Sequence, residues 1–320
     1  MDRKVSVLVV SAGLAAGIIV FMLLRVWGDL ILAIEHWNPL FLIPAIAFST
    51  AGWWMRGARY RSILGRLGIR AGLGFSTACV LISQTANLII PARLGDLVRI
   101  FILKHENLSG YPTGISSIVI ERFFDILTVA ILGLVALPFI PGVPAWVYPV
   151  IVLPLAICGA FVIILLALGK VQSENRILAI AFSMIYEMRK ASLSLRSILG
   201  LSGLSVAIWL TDVFTTVSIA AMFRAEISPA VIILAVVVGN LFKAVPITPG
   251  GIGTYEAAVA VILVLSRTTN QATATLIAIS DHLVKNVITA VGGVLSIRLM
   301  GTWVVDAIRD AFRGKGETGA

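Results

Sequence analysis

Four short segments place ionisable side chains inside otherwise apolar stretches. They are "NLIIPARLGDLVR" (87–99), "SIVIERFFDILTVAILG" (117–133), "NLFKAVPITPGGIGTYEAA" (240–258) and "LIAISDHLVKNVITAVGG" (276–293). Their candidate functional residues are Arg93, Arg99, Glu121, Arg122, Asp125, Lys243, Glu256, Asp281, His282 and Lys285, with Asp96 and Asp212 as further charges at depth. Arginine suits phosphate, because a planar guanidinium grips it through paired hydrogen bonds. Carboxylates at such positions tune charge, carry protons or hold Mg²⁺. Glu121 and Asp125 lie i,i+4 on one helical face. Asp281 and Lys285 have the same spacing and opposite charge, so they can pair within one helix.

Two of these segments carry backbone breakers beside the charges. Asn87, Pro91 and Gly95 mark the first break. Asn240, Pro246, Pro249, Gly250, Gly251 and Gly253 mark the second. Irregular backbone survives at membrane depth only where protein buries it or a polar cavity faces it. Thr254 reads as the N-cap of a helix whose amide end attracts anions. Glu256, in its first turn, either closes that site until substrate arrives or binds a proton or a basic partner.

The elements that position these residues follow from composition. The chain has 320 residues, of which 59% are hydrophobic and 13% charged. Soluble domains carry about 25% charged residues, so this is an integral membrane protein. The expected fold is an all-α polytopic membrane protein. It has about 6 full transmembrane helices plus two oppositely entering re-entrant helical hairpins, 8 or more membrane elements in all. Full spans are expected at 5–24, 39–55, 115–137, 146–168, 200–223 and 272–298, with broken stretches at 76–103 and 229–266. Residues 1–303 form one multi-pass domain, and 304–320 a polar cytoplasmic tail.

Arg56, Arg59, Arg61, Arg66 and Arg70 read as a basic loop over 56–75. Lys170, Arg176, Arg189, Lys190 and Arg196 read as a second. The positive-inside rule puts both loops and both termini in the cytoplasm. The net charge of +9 is thereby assigned to loops rather than to nucleic acid. Segments 61–69 and 175–195 mix basic and apolar residues and can lie along the membrane surface. Cys79 and Cys158 sit in apolar segments as free thiols. Neither the cysteines nor His36, His105 and His282 have metal-ligand spacing, and no metal or cofactor is expected.

The two broken stretches look like copies. Pro249 and Gly253 are spaced as Pro91 and Gly95 are. Glu121 matches Asp281, Arg122 matches His282, Asp125 matches Lys285 and Gly133 matches Gly293. With opposite directions of entry this is an inverted internal repeat, with cores about 76–137 and 229–298. Many transporters place their binding site at the midplane of such a repeat.

The segments "NLIIPARLGDLVR", "SSIVIERFFD" and "PITPGGIGTYEAA" resemble the signature segments of the lysylphosphatidylglycerol synthase transmembrane-region family, over roughly residues 5–298. The resemblance implies a flippase-like module that translocates lipid. In the aminoacyl-lipid synthases a separate cytosolic domain makes the modified lipid. The chain has no room for that domain, so lysyl transfer and enzymatic activity are not expected. Stand-alone members tied to polyprenyl-linked glycan pathways widen the lipid to an anionic phospholipid or a polyprenyl phosphate derivative. The implied partners are membrane lipids and a separate lipid-modifying or glycosyl-transferring enzyme, in the cytoplasmic membrane. Other readings stay open: a small-solute or ion-coupled transporter, a membrane enzyme holding Mg²⁺ on Glu121, Asp125 and Asp281, or a non-transporting subunit whose charges only brace the fold.

Overall fold

The computed structural model describes residues 3–35, 37–90, 93–168, 171, 173–245, 247–301 and 303–305. In chain order the helices are α1 (Arg3–Arg25), α2 (Trp27–Glu35), α3 (Leu42–Arg66), α4 (Leu73–Ile89), α5 (Asp96–His105) and α6 (Tyr111–Ala136). They continue with α7 (Val147–Leu168), α8 (Arg176–Ser192), α9 (Leu195–Met222), α10 (Pro229–Ala244), α11 (Thr254–Leu263) and α12 (Gln271–Met300). No strand occurs among the described residues. The protein is an all-α membrane protein. The helices α7, α9 and α12 are long and apolar enough to cross a membrane. α3 and α6 are comparably long, at 25 and 26 residues, but charged side chains along them lower their apolarity.

Local sequence sets the helix starts. Ser194, Ser228 and Asn270 lie just outside α9, α10 and α12, and each side chain accepts a hydrogen bond from a backbone N–H of the first turn. That satisfies one of the amides left without an intrahelical partner. Pro229 opens α10, where a missing N–H costs nothing.

Two features depart from the sequence reading. The basic stretch 56–66 is not a loop: α3 continues to Arg66. A cytoplasmic loop was expected because the arginines were counted as solvated charges. Instead Arg56 and Arg59 find carboxylates on other helices. Segment 61–69 is therefore no surface helix of its own, since its Ile63 and Leu64 are buried in the last turns of α3. The second departure is α2, which had no counterpart among the expected spans. Segment 175–195 does form a helix, α8, with Ile177 and Leu178 exposed and Met188 and Ala191 buried. Pro91, Pro246 and the polar tail from 306 lie outside the described residues.

The packing brings both broken stretches to the centre. α4 packs on α5, and α10 packs on α11. α3 lies along α9, α4 along α12 and α6 along α10. Small residues permit the last two approaches. A Cβ at Gly293 of α12 would collide with the Thr85 side chain of α4. A Cβ at Gly133 of α6 would sit 2.9 Å from Val237 of α10. Helices in lipid gain most from such close backbone approach, because lipid chains offer no hydrophobic drive between them. Gly293→Leu is expected to cost about 1–3 kcal/mol by overpacking, read as a lower melting temperature of the detergent-purified protein. Gly159→Leu, at an α7 position with open space around it, serves as the control and is expected to leave the melting temperature unchanged.

Candidate functional site

The first break ends at Gly95, and Asp96 opens α5. The Asp96 carboxylate gathers donors from two other helices, α4 and α6. It accepts from Ser83 Oγ at 3.0 Å, Asn87 Nδ2 at 2.9 Å and Arg122 at 2.6 Å. These bonds fold α5 back onto the end of α4 and tie both to α6. Arg93 lies inside the break with φ of 55°, a left-handed conformation that is uncommon for a residue other than glycine. Its guanidinium donates to the backbone carbonyl oxygen of Lys243 at 3.2 Å. That carbonyl belongs to the last turn of α10, where acceptors lack intrahelical partners.

The second break turns on glycines. Gly250, Gly251 and Gly253 have φ of 62°, 77° and 86°, which other residues adopt only under strain. At Gly251 a Cβ would also meet the Lys243 side chain at 2.5 Å. The cap of α11 is Gly253 and not Thr254, which is the first residue of the helix. The Gly253 N–H donates to Glu256 Oε2 at 2.7 Å. The other Glu256 oxygen, Oε1, lies 2.7 Å from His282 Nδ1, and His282 Nε2 lies 3.0 Å from Lys243 Nζ. An ammonium has donors only. With Lys243 charged, Nε2 accepts from it and Nδ1–H donates to Glu256. Glu256 thus caps its helix and binds a basic partner at once.

Between the breaks runs a network of ion pairs. Arg59 meets Asp125 at 2.6 Å and Glu121 at 3.7 Å. Arg99 meets Glu121 at 2.5 Å and Asp96 at 3.4 Å. Arg122 adds Asp125 at 3.7 Å. Arg56 of α3 meets Asp212 of α9 at 2.8 Å. On the other side, Asp281 accepts from Lys285 and Thr216 at 2.8 Å and from Tyr255 Oη at 2.7 Å. Arg59 and Arg99 are 1% and 0% exposed, so their charges are tolerable only because carboxylates face them.

A cavity of ≈ 330 Å³ lies between the breaks. Its wall includes Gln84, Asn87, Arg93, Arg122, Lys243 and His282. Asn240 and Lys285 also face it. Asp96, Arg99, Glu256 and Asp281 stand behind that wall, engaged with other side chains. The cavity therefore gathers side chains from both breaks and from α6 and α12. Arg56, Arg59 and Tyr255 belong to the network and were not singled out as site residues. The signal for Arg56 was Asp212, an acid in an apolar span with no cation within a helical turn of it. Glu121, Asp125 and Asp281, which could have held Mg²⁺, are each occupied by cations. Among the described residues no group of three or more His, Cys, Asp or Glu could hold a metal ion.

These features define a multi-pass helical membrane protein with a polar cavity walled by ion pairs. The Lysylphosphatidylglycerol synthase TM region family matches residues 6–293, and the chain belongs to that family. It is 32% identical to "Glycosyltransferase AglD" of Haloferax volcanii over 97% of this chain, and it spans 57% of that relative's length. It is 26% identical to "UPF0104 membrane protein MJ1078" of Methanocaldococcus jannaschii over 56% of this chain and 79% of that relative. No solved structure matches. The first relative overturns the expectation of a non-enzyme, because a protein matching nearly the whole chain is named a glycosyltransferase.

Removing one partner of a buried ion pair leaves an uncompensated charge, at about 3–5 kcal/mol. Arg99→Met is expected to lower the melting temperature sharply. Adding Glu121→Gln should recover part of the loss, since the stranded carboxylate is then gone. A double mutant no more stable than Arg99→Met would argue against this pairing.

Proposed function

We propose that the chain translocates lipids with an anionic polar headgroup across the cytoplasmic membrane, the headgroup passing through the cavity between the two breaks. One observation carries this reading. Arg93 and Lys243 face the cavity, and neither has a carboxylate within ion-pair distance among the described residues. The other cations of the network contact carboxylates directly, whereas Lys243 reaches Glu256 only through His282 and Arg93 reaches a backbone carbonyl, so these two are the donors left for a phosphate. Arg99 and Arg122, also expected to contact phosphate, are instead engaged with Glu121, Asp96 and Asp125.

A lipid fits better than a small solute because of Phe242. It precedes Lys243 and lines an apolar groove of ≈ 610 Å³, with Ile18, Phe21, Trp146 and Val261 among the other walls. The end of α10 thus separates a polar cavity from a groove suited to the hydrocarbon chain of the same molecule. Membership of the family supports a membrane-lipid role. The relative named a glycosyltransferase supports a lipid that carries sugar, with a glycosyl-transferring enzyme as partner.

The two halves act in this reading as an inverted repeat of re-entrant hairpins. α5 and α11 have 10 residues each, about 15 Å of helix against a hydrocarbon core of about 30 Å. Arg122 meets Asp96 and His282 meets Glu256, and in both pairs the partners are 26 residues apart. The matched Gly133 and Gly293 each pack against the α10 or α4 of the opposite half. Both termini face the cytoplasm, on the side of Arg70, Arg176, Arg189 and Lys190.

The test is leaflet exchange of fluorescent phosphatidylglycerol in reconstituted vesicles. Charge-assisted hydrogen bonds contribute about 1.5–3 kcal/mol, so Arg93→Met and Lys243→Met should each slow exchange about tenfold or more while the protein stays folded. Exchange no faster than in empty vesicles, across several headgroups, refutes the proposal. Uptake of a labelled solute without lipid exchange favours the transporter alternative.

A further inference from the structure

Among the described residues, the charges around the cavity sort into closed groups with one cation left over. On the side of the first break, Arg56, Arg59, Arg99 and Arg122 face Asp96, Glu121, Asp125 and Asp212, four cations against four carboxylates. On the side of the second break, Lys285 is matched by Asp281. Lys243 is matched by Glu256 through His282, which bridges them at 3.0 and 2.7 Å. The Lys243–His282 pair carries one positive charge whichever nitrogen holds the proton, so the tautomer does not alter the count. Arg93 has no carboxylate counterpart among the described residues. Its polar contact is the Lys243 carbonyl oxygen, a partial negative charge at a helix C-terminus.

An uncompensated charge at membrane depth is costly, and the cost is relieved by a ligand of opposite sign. We infer that the cavity is charge-matched to a headgroup with one net negative charge, a phosphodiester, with Arg93 supplying the charge that the ligand neutralises. This rests on the lipid reading above and narrows it. A zwitterionic headgroup leaves Arg93 uncompensated. A phosphomonoester carries about −1.5 to −2 at neutral pH and overshoots, as does a diphosphate. An aminoacylated headgroup with net positive charge is repelled. The geometry assists, because Lys243 and Arg93 both line the same ≈ 330 Å³ space. A phosphodiester offers two anionic oxygens to these two donors and keeps two ester arms, one for the headgroup and one for the chain.

The count also says how selectivity changes. Arg93→Gln makes the site neutral, and Asp125→Asn leaves it with two positive charges. Asp125→Asn keeps the shape of the native side chain, and Arg93→Gln shortens it but keeps a polar tip.

The experiment measures binding to the purified protein in uncharged detergent. The probes are dihexanoyl phosphatidylglycerol, phosphatidylcholine and phosphatidate, with dimethyl phosphate as the chain-free phosphodiester. The native protein should prefer phosphatidylglycerol about tenfold over the other two lipids, the equivalent of one charge-assisted hydrogen bond. Arg93→Gln should erase the preference over phosphatidylcholine. Asp125→Asn should move the preference to phosphatidate. Melting temperatures of both variants check that they fold, and Asp212→Asn repeats the second arm from another helix. An order of affinities that is flat, or that does not move with any of these variants, overturns the inference. Dimethyl phosphate binding as tightly as phosphatidylglycerol keeps the charge rule and removes the lipid. The charge-ordered binding without any leaflet exchange in vesicles would sink the transport reading alone.

Discussion

An ionisable group held within a membrane must find an opposite charge or a polar space, and nearly everything in this structure follows from that constraint. Arg59 and Arg99 are almost wholly enclosed, and they are tolerated because Glu121, Asp125 and Asp96 converge on them from α6 and α5. The Arg59 pairs join α3 to α6, and the Arg99–Glu121 pair joins α5 to α6. The ion pairs therefore do more than neutralise charge. They fix where the broken stretches fold back and which walls the cavity has.

The breaks are held by the same means. Asp96 and Glu256 each stand in the first turn of a short helix, and each is gripped by the base one residue after the first acid of α6 or α12. Glycines supply the rest. The turn before α11 uses positive φ at three of them, and Gly251 leaves room for the Lys243 stem. The cavity thus lies where the two breaks approach one another, with Arg93 reaching from one to the end of the helix before the other.

Much of this was legible in the sequence, for a physical reason. Apolar length announces a helix, and prolines, glycines and charges inside it announce an interruption. Hence all six expected spans contain helices, and both breaks fall where "NLIIPARLGD" and "PITPGGIGT" put them. What was not legible concerns long-range pairing. Arg56 and Arg59 looked like loop charges because their partners, Asp212 and Asp125, lie on other helices. Likewise nothing local said that Arg99 would be sealed behind the wall while Arg93, six residues earlier, would face the cavity. Glu256 was ambiguous for the same reason, since its second oxygen binds His282 of α12. One inference failed outright. The expectation of no enzymatic role came from chain length, which says nothing about what its relatives are named.

The central claim is that Arg93 and Lys243 are the open cations and that the remaining charges brace the fold. The most direct measurement is a cryo-EM structure of the protein in phosphatidylglycerol nanodiscs. The account predicts phosphate density within hydrogen-bonding distance of both Arg93 and Lys243, with the pairs of Arg99 and Arg59 intact. A cavity free of lipid density, or a phosphate seated on Arg99 or Arg122 with their carboxylates displaced, would contradict it.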